Sequence, residues 1–134
     1  RIKMKNKMRK MTVNDTVYLY RIQSKYYGDN RAVVTLRIYM EGYRNTPYVM
    51  GFQCFEGNYD GAVLAVGTTL FNTQTYLTEH VNLHRPYFVR LCILKALEEG
   101  WDASERQINE DGMQFLSELN LDISKITPKA AESE

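Results

Sequence analysis

His80 and His84 are the residues whose types and spacing come closest to a metal site. On a helix, a separation of four would place both imidazoles on one face. The setting argues against it. Pro86 and the Thr- and Val-containing stretch before it place the helix start near or after His84. In an extended segment the two rings stand about 13 Å apart. Neither a cysteine nor a third histidine lies close by to complete a ligand set, so one surface histidine and one at the helix entry are expected.

The two cysteines are the next candidates. A nucleophilic thiol needs an exposed, electropositive setting and a general base. Cys54 and Cys92 instead fall within apolar patterns on what read as separate elements, which favours two buried, free thiols over the alternative of a single bridge between them. Glu98 and Glu99 are adjacent, so their side chains diverge around a helix and cannot work as a catalytic pair. The sequence contains no G-x-x-x-x-G-K-[ST], G-x-G-x-x-G or G-x-S-x-G. Its eight glycines are scattered as turn makers, not gathered into a phosphate cradle. The reading is therefore a chain without catalytic residues, metal ligands or cofactor.

The element that would position these groups is a helix from Pro86 to Glu99. Val89, Cys92, Ile93, Ala96 and Leu97 recur at the spacing of one buried stripe. Pro86 suits the first turn, Gly100 suits a left-handed C-cap, and Trp101 can fold back onto the last turn. Leu91 and Leu94 lie off the stripe, so the helix is either covered on two sides or presents apolar surface to a partner.

Upstream, the pattern is that of strands and tight turns. Thr12–Gln23 reads as a first strand with Asn14-Asp15 interrupting its beginning, and Ser24–Arg31 as a turn. Ala32–Glu41 alternates, with Val34, Leu36, Ile38 and Met40 on one face and Val33, Thr35, Arg37 and Tyr39 on the other. Thr46–Phe55 places Tyr48, Met50, Phe52 and Cys54 together. Gly61–Phe71 is apolar on both faces and reads as a central strand or one covered on each side. Asn72–Val81 reads as a fifth strand or an extended loop. A short amphipathic helix carrying Met113, Phe115, Leu116 and Leu119 follows, capped by Asn109 or Asp111. The fold class is α+β: an antiparallel β-meander of four to five strands, then a main α-helix packed on the sheet and a short C-terminal helix. The organisation is a basic flexible leader at 1–11, a single α+β domain at 12–122 and a polar C-terminal tail at 123–134. With 134 residues, 44% hydrophobic and 25% charged, the chain is one ordinary domain. No apolar run reaches the length of a membrane span or signal peptide, which makes the cytoplasm the default compartment.

The net charge of +1 conceals a gradient. Arg1, Lys3, Lys5, Lys7, Arg9 and Lys10 open the chain without an acid among them, whereas acids dominate from Glu98 onward. Such acids can steer a basic partner, and Asp102, Glu105, Glu110 and Asp111 are the candidate contacts. Most of the ten tyrosines fall in the strand half, and Tyr39, Tyr43 and Tyr59 are candidates for a docking surface. The basic leader beside exposed aromatics supports a second reading, a nucleic-acid-associated protein. An enzyme with a site assembled from distant positions is a third.

The segment NLHRPYFVRLCILKALEEGWD, from Asn82 to Asp102, resembles the closing helix of small uncharacterised bacterial α+β proteins. Some of these resemble the immunity proteins of toxin systems. The resemblance implies a small non-catalytic domain that binds another protein, with a toxin as the specific candidate; nucleic acid and membrane are separately not expected as partners. It carries over no site residues.

Overall fold

The computed structural model describes residues 8–57 and 61–128. Its main sheet is built from hairpins. β1 (Arg9–Val13) turns through Asn14-Asp15 into β2 (Thr16–Gly28), which turns through Asp29-Asn30 into β3 (Arg31–Met40). Both turns place two consecutive non-glycine residues at positive φ: 51° and 66° at Asn14 and Asp15, then 54° and 60° at Asp29 and Asn30. This left-handed pair matches the right-handed twist of the flanking strands, and Asn and Asp tolerate it best after glycine. The expected first strand is therefore two strands, and its Asn-Asp interruption is the hairpin turn. The expected turn at Ser24–Arg31 contracts to Asp29-Asn30. The extended leader expected at 1–11 also shortens, because Arg9, Lys10 and Met11 pair with Tyr20, Leu19 and Tyr18. Residues 1–7 lie outside the described part, as do 129–134.

β3 pairs antiparallel with β4 (Tyr48–Gly57), which meets the two-residue β5 (Gly61–Ala62). A sixth strand, β8 (Ile108–Asp111), pairs with β4 in parallel, Tyr48 opposite Ile108. The meander thus holds for β1 to β4 and then breaks. Gly61–Phe71 is not a central strand. After β5 it coils into a single turn, α1 (Val63–Val66), and passes through Gly67 at φ 109°. It then becomes β6 (Thr68–Phe71), which pairs with β7 (Thr78–Val81) in a separate two-stranded sheet. The apolar run meets the core through alternating geometries: Ala62, Leu64 and Leu70 are buried, whereas Val66 and Phe71 are exposed.

The core occupies one face of the main sheet. Ala32, Val34, Leu36 and Ile38 of β3 and Tyr48, Met50, Phe52 and Cys54 of β4 all point into it. Against them packs α2 (Pro86–Glu98), burying Phe88, Val89, Cys92, Ile93 and Ala96. The helix ends in a Schellman motif, with Gly100 at φ 84°, the Trp101 amide donating to Ala96 O and the Gly100 amide to Leu97 O. Trp101 then folds back, with its ring 6.1 Å from Tyr18 and 5.8 Å from Tyr48, and Nε1 donating to Thr46 O. Leu91 and Leu94 are half-buried and line a groove closed by Phe115 and Leu119. These two come from the C-terminal helix and the residue after it, α3 (Gly112–Glu118) and Leu119. Asp111, not Asn109, caps α3, its carboxylate accepting from the Met113 and Gln114 amides. The expected tail begins inside the fold: Ile126 is buried and its carbonyl accepts from the Phe55 amide. Among the described residues, no helix is long and apolar enough to cross a membrane.

The junction of β8 and α3 is tight because it lies flat on β4. A Cβ at Gly112 would fall 2.4 Å from the Phe52 ring, far inside van der Waals contact. Gly112→Ala is expected to destabilise the protein by about 1–3 kcal/mol. A Phe52→Leu background should recover part of that loss in a double-mutant cycle measured by urea unfolding.

Candidate functional site

The chemically suggestive residues do not converge. Cys54 and Cys92 are buried and unpaired, and burial pushes both thiols up, away from the nucleophilic thiolate. His80 projects from β7 and His84 lies in the turn before α2, both exposed. Partial desolvation of its imidazole, with the Arg9 charge adding to it, lowers the His84 pKa. Among the described residues, no three His, Cys, Asp or Glu side chains gather closely enough to hold a metal ion. A cleft of about 230 Å³ between the β6–β7 hairpin and α2 contains Glu79, but its carboxylate already accepts from the buried Asn72 amide at 2.6 Å.

Three of the four candidate acids have local work. Asp102 accepts from the Ser104 amide and hydroxyl, which lowers its pKa, and Asp111 caps α3. Glu110 lies beside Glu99, and burial first and that carboxylate second push its carboxyl up. Glu99 itself accepts from the buried Tyr48 hydroxyl at 2.7 Å and pairs with Lys95 at 3.2 Å. Lys95 also reaches Glu118 at 2.8 Å. Glu118 foremost raises the ammonium pKa, and its own carboxyl is lowered in return. This is a structural network at the meeting of β4, α2, β8 and α3. Glu105, the fourth, is exposed.

The tyrosine candidates lead elsewhere. Tyr39 stands on β3 opposite Leu19, on the sheet face turned away from the core, and Tyr43 is exposed in the turn that follows. Tyr59 falls outside the described residues. The face that carries Tyr39 is reached by α3 at its β4 side, where Met113 and Thr127 line a groove with Val33, Gly51 and Gln53. Along its rows, Arg21 is opposite Arg37 and then Val49, and Gln23 is opposite Thr35 and then Gly51. Lys25 is opposite Val33 and then Gln53, and its ammonium sits over the Tyr27 ring at 5.5 Å. Gly51 leaves a shallow groove of about 480 Å³ bounded by Val33, Gln53, Asn109 and Asp111.

Two features of this face stand out electrostatically. Like charges directly opposite each other across a sheet repel, yet Arg21 and Arg37 occupy such a pair. Arg37 donates to Gln23 Oε1 at 2.9 Å, whereas Arg21 Nε is shut off from solvent without a hydrogen-bond partner. Neither guanidinium has a carboxylate partner among the described residues. The alternation of β3 marks Arg37 as outward-facing in the sequence. The Arg21–Arg37 opposition does not emerge there, because it depends on a register shift between Tyr26 and Gly28.

The acidic network has a measurable sign. Because the folded-state pKa of Glu110 is raised, its ionisation costs stability at pH above that value. The cost disappears as the pH falls to the ordinary carboxyl range near 4.5. Glu110→Gln should therefore raise Tm at pH 7.5 by about 1–3 °C. The gain should shrink towards pH 4 and in 1 M salt, as followed by circular dichroism. No family model matches this chain, and no curated protein or solved structure does.

Proposed function

We propose that this chain is a non-catalytic protein-binding domain that docks its partner on the open face of the main sheet. A cytoplasmic immunity-type inhibitor of a bacterial toxin is the specific form we favour. The observation that carries the reading is the composition of that face. Leu19, Arg21, Thr35, Arg37, Tyr39 and Val49 form a continuous outer surface on three adjacent strands. Such a surface has the mixture found at protein interfaces: arginine and tyrosine beside aliphatic groups. The enclosure of both thiols and the separation of the two histidines favour binding over catalysis. Asp102 and Asp111 serve the fold and Glu110 is held half-buried beside Glu99, so the docking surface moves from the acidic C-terminal region to the sheet.

Co-expression with the product of the neighbouring gene, followed by co-purification, tests the proposal. A stable complex is expected, together with protection of cells from that product. Thr35→Trp places a large ring at the centre of the face without touching the core, and should abolish the complex while leaving the thermal melt unchanged. Co-purification undiminished by Thr35→Trp would overturn the assignment of the surface.

A further inference from the structure

We infer that Arg21 and Arg37 form a carboxylate seat that takes an acidic segment of a protein partner. This inference rests on the sheet face being the docking surface. Arg21 and Arg37 stand directly opposite each other in the strand register, and neither guanidinium has a counter-ion among the described residues. Each repels the other in the free protein, and the repulsion is relieved when a carboxylate lies between them. Arg21 adds a second source of tension. Its Nε–H is hidden from water and has no acceptor, which is rare for a buried donor. A carboxylate that draws the guanidinium outward satisfies Nε and Nη together in the planar fork that arginine offers. Gln23, already bonded to Arg37, and Thr35 supply neutral hydrogen-bonding neighbours in the next row.

The chemistry favours side-chain carboxylates over a nucleic-acid backbone. A phosphodiester chain needs a succession of available cations along its path. Among the described residues of β1 and β2, Lys10 is paired with Glu41 and the Lys25 ammonium rests over Tyr27, whereas Arg21 and Arg37 stand opposite each other without a carboxylate. Tyr39 and Phe55 are half-buried, and the exposed rings of Tyr27 and Tyr43 stand near opposite ends of β3, not in a row along the face. At the far side of the sheet the Gly51 row ends on Asp111, which repels a continuing polyanion. A strand or loop bearing one or two Asp or Glu residues fits these limits.

The test titrates fluorescein-labelled decaglutamate into the full-length protein and follows anisotropy, with decathymidylate of the same length and inorganic phosphate in parallel. Saturable, salt-sensitive binding of decaglutamate is expected. R21Q and R37Q should each weaken it by about tenfold. R21K, which keeps the charge and loses the fork, should fall between. Amide shifts in the NMR spectrum should centre on Gln23 and Thr35. Melting curves of the variants should match or exceed that of the parent, since each removes a repulsive partner. Absence of saturable decaglutamate binding, or equal binding by the R21Q/R37Q double variant, would overturn the inference. So would tighter binding of decathymidylate, which makes the face a nucleic-acid surface, or an arginine-dependent dimer, which makes the occupant a second copy of the chain. If the neighbouring-gene product is lost by Thr35→Trp but retained by R21Q/R37Q, the docking surface stands and the carboxylate seat falls. If both variants retain it, the surface itself is wrong.

Discussion

Trp101 is the contact that the other elements of this fold depend on. Its position is dictated by the end of α2, where Gly100 takes a left-handed conformation that a side chain would resist, and the chain doubles back. The indole is thereby inserted between Tyr18 of β2 and Tyr48 of β4, and its N–H reaches the Thr46 carbonyl in the loop that leads into β4. Thr46 in turn donates through its hydroxyl to the Ala103 carbonyl. Sheet, helix and the segment leading to β8 are joined at one 5% exposed residue. The Tyr48 hydroxyl extends the junction to Glu99, Lys95 and Glu118, which brings α3 into the same arrangement. Because each polar atom in this chain of contacts has a partner, the junction is rigid at little desolvation cost.

That rigidity has a functional meaning for the opposite face. With α2, the tryptophan and the Lys95 ion pairs on one side, the other side of β2, β3 and β4 carries half-buried residues that take no part in that junction. It shares strands with the core but none of its contents. Inward residues such as Val34, Leu36 and Ile38 alternate with outward residues such as Thr35 and Arg37, so side chains on the two faces can change independently. The scaffold and the surface are different sets of residues on the same strands.

The features readable in the sequence are those fixed by local geometry. Pro86 and Gly100 bracket α2 because first-turn and C-cap preferences act within a few residues. The inward faces of β3 and β4 follow from strict alternation. What escaped depends on residues far apart. β8 reads Ile-Asn-Glu-Asp, which has no strand signature and is extended because β4 offers it a free edge. Gly61–Phe71 has the composition of a buried strand, but burial is reached by a helical turn and a hairpin, which composition does not distinguish. The arginine pair was hidden most thoroughly. Gly28 pairs with Arg31, yet Tyr26 pairs with Ala32, so one residue is added to β2 near the turn. Without that irregularity Arg21 would be aligned with Ile38, and inward and outward faces would no longer match.

The pairing of β8 also bears on how the chain is built. Strands β1 to β4 are joined by short connections and their registers are set within each hairpin, so they can form as they emerge during synthesis. The parallel partner of β4 arrives only at Ile108, long after Tyr48 has been made. During that interval the hydrogen-bonding edge of β4 is open to any other extended segment, and slow non-local pairing of this kind exposes a nascent chain to misassembly. The strand least visible in the sequence is thus the one that covers Tyr48–Gly51 along the edge of β4.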